Sequence, residues 1–396
     1  MTFVLKKCLG KRRRKWEAVV ALILLMLIEP GLRVKAQPAI SAPSAILIES
    51  STGQIIYEKN GREKRSPASI TKIMTLLLTM EALEEEKINL EDKVVVSEYA
   101  SSMGGSQVYL AQGEVQTLDT MLKCIAVSSG NDASVAVAEH ICGSEEAFVE
   151  RMNERARELG MFDTHFEDCC GLTDSDNHYT TAMDVAIMSR ELIEKHPAIY
   201  DYTKIWMDEI IHETKNGESV FGLSSTNKLL KQYQWTTGLK TGSTQKAKYC
   251  ISATARKDDI DLVAVVMGAD TPKARFSEAQ VLLTYGFASC QLYIDKEPII
   301  LEPLTVRYGM EETVPLSYTS EFRYLDVKDR DFSRIERKLY LKEQVTAPIK
   351  KGDKAGYVKY FLDGKELGSV AVVFDREVRR AHYIDYLKRA FLIYLL

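Results

Sequence analysis

An α+β fold with an antiparallel sheet is what the sequence predicts, and three observations carry that reading. Strand-like runs stand near both ends of the first three-quarters of the chain, helical periodicity fills the middle, and beyond Cys290 short alternating strands take over. The 396 residues are 45% hydrophobic and 27% charged, with 22 Gly and 10 Pro. That balance excludes a disordered tail, a collagen-like fibre and a polytopic membrane protein, and leaves a globular protein of two or three domains.

Residues 1–36 hold nine Lys/Arg and two Glu, which leaves 43 basic and 54 acidic residues from Gln37 onward. A body so acidic argues against nucleic acid as a partner. The basic start leads into the apolar run Ala18 to Ile28 and then Val34-Lys35-Ala36, small at its first and third positions. This reads as an export signal cleaved after Ala36, with an uncleaved anchor as the alternative. A permanent span needs about 20 apolar residues, more than Ala18 to Ile28 supplies. The six cysteines that follow lack the paired spacing of a zinc site, so no metal and no cofactor are expected, and in a core this large free thiols are preferred over disulfides.

Ala45 to Glu49 and Gln54 to Tyr57 flank Ser51-Thr52-Gly53 and read as a hairpin. Ile70 to Leu83 is rich in strong helix formers and nearly free of charge, hence a helix buried on most sides, which Ser69 would cap. Leu118 to Val127 and Asp132 to Ile141 read as helices broken at Ser128-Ser129-Gly130. Glu145 to Leu159, ended by Gly160, and Thr181 to Glu194 are two more. Tyr249 to Ala255 and Leu262 to Met267 are β-branched strands around the turn Lys257-Asp258-Asp259, and Lys273 to Phe287 is a helix. The expected divisions are a signal at 1–36, a first domain at 37–290, a small β-rich domain at 291–375 and an amphipathic helix at 376–396. That last segment carries five basic and two acidic residues, with Tyr383, Ile384, Tyr386, Leu387, Ala390 and Phe391 on one broad face. The pattern suits a helix lying in a membrane surface, and packing against the β domain is the other reading.

Three short patterns carry chemistry. Ser69 and Lys72 share a helix face, where burial of the ammonium lowers its pKa toward the range that takes a serine proton. The spacing recurs at Ser225/Lys228 and Ser243/Lys246, but only Ser69 opens a long apolar helix. Ser129-Gly130-Asn131 sits between two helices, offering a hydroxyl to relay a proton and an amide to hold a substrate amide; Ser175-Asp176-Asn177 and Ser225-Thr226-Asn227 have the same form. Lys240-Thr241-Gly242 occurs once and would arise by chance in roughly one chain in ten of this length. On a strand edge, Lys240 supplies charge, Thr241 a hydroxyl for a carboxylate, Gly242 room for a substrate backbone, and Ser243 an N–H toward an oxyanion.

In this order the three patterns are those of penicillin-binding proteins and serine β-lactamases. With "SPASITKIMTLLLTMEAL", "SSGNDASVAVAEH", "TNKLL", "GLKTGST" and "VMGADTPKARFSEAQVLLTYGF", the chain resembles the D-alanyl-D-alanine carboxypeptidases, low-molecular-mass penicillin-binding proteins, from about Ala45 to its end. "FEDCCGLTDSDNHYTTAMDVA" is similar to the sporulation-associated members. The resemblance implies a β-lactamase/transpeptidase-like domain, then a small all-β domain and a terminal helix, in an enzyme exported to the outer face of the cytoplasmic membrane. It implies that Ser69 attacks the bond between two D-alanines of a peptidoglycan stem peptide and that Lys72 is its base. Ser129 relays the proton, Asn131 holds the peptide amide, Lys240 shapes the field around Ser129, and the N–H groups of Ser69 and Ser243 form the oxyanion hole. Thr241 and Arg275 bind the terminal carboxylate, and β-lactams acylate Ser69. Asp168-Cys169-Cys170-Gly171-Leu172 and Ala247-Lys248 depart from the family's usual text. A serine β-lactamase and a non-catalytic wall-binding scaffold are the competing readings; the first needs a group such as Glu167 to activate the deacylating water.

Overall fold

The computed structural model describes residues 37–214, 217–327 and 330–394. The expected export signal and the last two residues of the expected terminal helix lie outside them. The expected hairpin is present as β1 (Ser44–Glu49) and β2 (Ile55–Lys59). The main helices of the middle are α1 (Lys72–Glu84), α2 (Leu118–Ala126), α3 (Asn131–Cys142), α4 (Glu145–Glu158) and α5 (Ala182–Lys195). Side-chain oxygens of Thr117, Ser144 and Thr181 accept from backbone N–H groups in the first turns of α2, α4 and α5, the capping chemistry those residue types supply.

A hairpin of β3 (Met207–Thr214) and β4 (Gly217–Ser224) then precedes β5 (Thr236–Thr244), β6 (Lys248–Lys257), β7 (Ile260–Ala269) and α6 (Pro272–Ser289). The β3–β4 hairpin has no counterpart in the sequence reading. Only Ile210, His212 and Leu223 along it are buried, so charged and polar residues dilute the alternation that marks a strand.

The main sheet is antiparallel in the order β2-β1-β7-β6-β5, which leaves β5 at an edge. Alternate residues of its strands face opposite layers. Leu47, Leu262, Ala264 and Val266 pack with Phe276, Leu282 and Leu283 of α6. Ile46, Ile48, Val263 and Val265 face the helical body, where Ile73, Met74, Leu76 and Leu77 of α1 are fully buried. Each such side chain contributes about 1.5–3 kcal/mol by leaving water, so α1 is held by packing on all sides.

Ser69 does not cap α1. A 3-10 turn, Ala68–Thr71, stands before the helix, and neither Pro67 nor Thr71 makes a side-chain cap. In a 3-10 turn residues three apart lie one above the other, which places Ser69 over Lys72 more directly than an α-helix does.

Beyond α6, an antiparallel sheet orders β8 (Leu316–Tyr318), β9 (Ile335–Leu341), β10 (Lys354–Leu362) and β11 (Lys365–Phe374) as β8-β11-β10-β9. Asp363 and Gly364, both with positive φ, make the two-residue turn between β10 and β11 that the sequence marked. Phe322 stacks on Tyr360 with ring centroids 3.6 Å apart in a core separate from that of the first sheet. The chain ends in α7 (Tyr383–Tyr394), on which Tyr383, Ile384, Tyr386, Leu387 and Phe391 are exposed. Among the described residues no helix is long and apolar enough to cross a membrane.

Candidate active site

Four segments meet at Lys72, whose side chain is fully buried. Its Nζ donates to Ser69 Oγ at 3.0 Å, Asn131 Oδ1 at 2.6 Å and the carbonyl of Cys170 at 2.7 Å. Three donors thus find three acceptors. Ser69 itself is half-buried, so solvent reaches its hydroxyl while the amine behind it is dry. Burial lowers the Lys72 pKa from 10.5, against the opposing pull of Cys170, Cys169, Asp168 and Asp132.

Asn131 opens α3 and is itself held. Its N–H donates to the carbonyl of Ser106 and its Nδ2 to that of Gly104, both at 2.7 Å. The buried carboxylate of Asp132 accepts from the N–H groups of Val108 and Leu110, which pins that loop. Ser129 occupies the break between α2 and α3 with φ of 63°, a left-handed conformation rare for serine and one that clusters at functional sites. The buried Lys240 Nζ donates to Ser129 Oγ at 2.8 Å and to the carbonyl of Thr241 at 3.1 Å. Burial first, then the neighbouring charges of Lys72 and Arg275, push the Lys240 pKa well below 10.5.

Edge strand β5 carries Lys240 to Ser243. Gly242 is required here by the chain's own packing, because a Cβ at this position would stand 2.9 Å from Pro67 O, Ser69 N and Ile70 N. The sequence reading reserved that space for a substrate backbone; the turn that carries Ser69 fills it. Thr241 Oγ1 donates to Thr226 Oγ1 at 2.8 Å, so the tripeptide Ser225-Thr226-Asn227 also borders the site. Ser243 is exposed. Arg275 lies on α6, with Nη1 donating to the carbonyls of Gly242 at 3.0 Å and Cys250 at 3.4 Å, so the guanidinium approaches β5 through its backbone.

The sequence reading missed the loop that closes the site. Asp168 accepts from the N–H groups of Cys170, Gly171, Leu172 and Thr173. Burial alone would raise its carboxyl, but His178 and these backbone donors hold it below the ordinary value of 3.8. The loop so shaped aims the carbonyl of Cys170 at Lys72 and that of Cys169 at Thr75 Oγ1. The cysteines are buried free thiols, and burial, followed by Cys170 and Glu145, raises the Cys169 thiol well above 9.0. Glu167 is exposed, and its N–H donates to His178 Nδ1. No cluster of three or more His, Cys, Asp or Glu among the described residues is arranged to hold a metal ion.

Residues 32–271 match the family model described as D-alanyl-D-alanine carboxypeptidase, and residues 287–380 that described as penicillin-binding protein 5, C-terminal domain. The D-alanyl-D-alanine carboxypeptidase DacF of Bacillus subtilis (strain 168) is 41% identical over 349 residues, which span 88% of this chain and 88% of that protein. DacC of Escherichia coli (strain K12), another D-alanyl-D-alanine carboxypeptidase, is 32% identical over 83% of this chain and 82% of that protein. Among solved structures, penicillin binding protein 5 from Haemophilus influenzae matches with a TM-score of 0.72 at 30% identity, over 87% of this chain and 99% of that one.

Gly171 has φ of 77°, and a Cβ there would stand 1.8 Å from the carbonyl oxygen of Ala68. Gly171→Ala is therefore expected to lower stability by at least about 1–3 kcal/mol in denaturant titrations. Because the clash pushes the Cys170 carbonyl from Lys72, nucleophile reactivity should fall further than the loss of folded protein explains.

Proposed function

From the premise that the chain belongs to the D-alanyl-D-alanine carboxypeptidase family, we propose that Ser69 is the nucleophile and Lys72 its general base. The enzyme is a serine D-Ala-D-Ala carboxypeptidase of the penicillin-binding protein family, acting on peptidoglycan peptides and binding β-lactams. The single observation that carries the assignment of roles is the 3.0 Å approach of the dry Lys72 Nζ to the solvent-reachable Ser69 Oγ.

In the proposed reaction neutral Lys72 takes the Ser69 proton as Oγ bonds to the carbonyl carbon between the two D-alanines. The N–H groups of Ser69 and Ser243 receive the oxyanion. Asn131 holds the stem-peptide amide, and Thr241, with Arg275 adding positive charge, receives the terminal carboxylate. As the C–N bond breaks, Ser129 passes a proton to the departing D-alanine nitrogen. Lys240 orients that hydroxyl through its 2.8 Å bond. Water then attacks the acyl-enzyme, returns a proton to the lysine and frees Ser69.

The same proposal places the protein outside the cytoplasmic membrane, with α7 lying in the membrane surface. Its exposed Tyr383, Ile384, Leu387 and Phe391 support this, with Lys388 beside them to meet anionic headgroups.

Mixed with excess benzylpenicillin, the protein should gain the mass of one drug molecule and Ser69→Ala should gain none. A drug consumed without an adduct would mark a β-lactamase instead. Lys72→Arg, which keeps charge but cannot act as a base, should slow acylation by about 10²–10⁴-fold. Since only the neutral amine serves, acylation should climb with pH through the lowered Lys72 pKa and level off above it. A rate that falls over this rise would remove Lys72 from the role. Finally, the chain should float with phosphatidylglycerol vesicles, and a version ending at Ala381 should stay behind while keeping its acylation rate.

A further inference from the structure

We propose that a cavity at the C-terminal end of β5 is a subsite for the side chain of the stem-peptide residue preceding the two D-alanines. The side chain it fits ends in a carboxylate and an ammonium on one carbon. The inference rests on the reading of the active site given above.

The cavity has a volume of about 410 Å³ and is walled by Lys64, Arg65, Ser66, Asp176, His178 and Lys246 among others. Ser66 is 7% exposed, and its hydroxyl has no hydrogen-bond partner among the described residues. A buried hydroxyl left so marks a place where a polar ligand atom is missing. His178 is not free to be that partner, since Nε2 is bonded to Thr71 Oγ1 at 2.9 Å and Nδ1 accepts from Glu167 N at 3.0 Å.

Position follows from strand register. With the terminal carboxylate at Thr241 and the scissile carbonyl at the N–H of Ser243, a peptide laid along the edge of β5 continues toward Thr244 and Gln245, at about 3.3 Å per residue. Thr244 Oγ1 accepts from the N–H of Ala247, a residue of the cavity wall. On the opposite wall, Ser66 directly precedes Pro67 of the turn that carries Ser69. The residue before the two D-alanines thus arrives at the cavity mouth.

Charge selects the side chain. Lys64, Arg65 and Lys246 face the cavity with one carboxylate, Asp176, which bonds Lys246 Nζ at 2.6 Å from a side chain that is 98% exposed. An ammonium alone would meet three cations and a single acid. A carboxylate alone would leave Asp176 opposed. A head bearing both groups places its carboxylate toward Lys246, Arg65 and the Ser66 hydroxyl, and its ammonium on Asp176 at the rim.

The test compares D-alanine release from two pentapeptides, L-Ala-γ-D-Glu-X-D-Ala-D-Ala, with X either meso-diaminopimelate or L-lysine. The protein should favour the diaminopimelate peptide by about tenfold or more in kcat/KM, mainly through KM. Lys246→Met and Ser66→Ala should each bring the ratio toward one. Because a ratio compares two substrates on one protein, partial misfolding cancels, and if Lys246→Met is inert the Ser66→Ala ratio decides. Equal use of both peptides by the parent protein, or a preference that survives in Ser66→Ala and in an active Lys246→Met, would overturn the subsite while leaving the active-site reading intact. A parent protein that cleaves neither peptide and gains no benzylpenicillin mass would overturn both.

Discussion

A lysine amine sealed from water, with an acceptor for each of its three donors, is the constraint around which the first domain is arranged. An amine buried with a partner missing is strongly destabilising, so every segment that supplies an acceptor to Lys72 must itself be held. Ser69 is held by a 3-10 turn pressed against Gly242, and Asn131 by the carbonyls of Gly104 and Ser106, in a loop that Asp132 fastens. The Cys170 carbonyl is held by Asp168, whose carboxylate gathers the N–H groups of its own loop. Segments distant in sequence become one object because a single nitrogen requires all of them.

The edge position of β5 has the same logic. An unpaired strand edge is ordinarily a hazard that proteins cover or charge. Here the turn carrying Ser69 comes so close to Gly242 that no side chain fits, which brings nucleophile and strand edge together. A peptide added to that edge would be read by main-chain hydrogen bonds first and by side-chain pockets second, which suits a substrate ending in two small residues.

How much of this was legible in the sequence depended on which atoms do the work. The helices, the first hairpin and the Asp363-Gly364 turn were legible because periodicity and turn chemistry are written in side chains. Ser69, Lys72, Ser129, Asn131 and Lys240 were legible for the same reason, and the bonds from Lys72 to Ser69 and Asn131 and from Lys240 to Ser129 join them pairwise. The third acceptor of Lys72 was not, because it is a backbone carbonyl, and nothing in the name Cys170 says where its oxygen points. Asp168 and Asp132 were passed over because a buried carboxylate that binds N–H groups looks, as text, like any surface acid. Ser69 was misread as a cap because serine before an apolar helix usually is one, and the intervening 3-10 turn is set by packing against β5 and Gly171.

The property that arms the site also weighs on the fold. Lys72 and Lys240 both have pKa values lowered by burial, Lys240 further by Lys72 and Arg275, while the unfolded chain keeps both near 10.5. Between the lowered and ordinary values the unfolded state holds more protons than the native one, so these lysines favour unfolding more as pH falls, and their full cost is reached below the lowered values. Above about 10.5 the cost is gone. A lysine that gives up its proton readily enough to serve Ser69 is therefore one that the native state tolerates poorly when charged. The offset must come from elsewhere, and the sheet, buried on both faces between α6 and the helical body, is the one element of the first domain large enough to supply it.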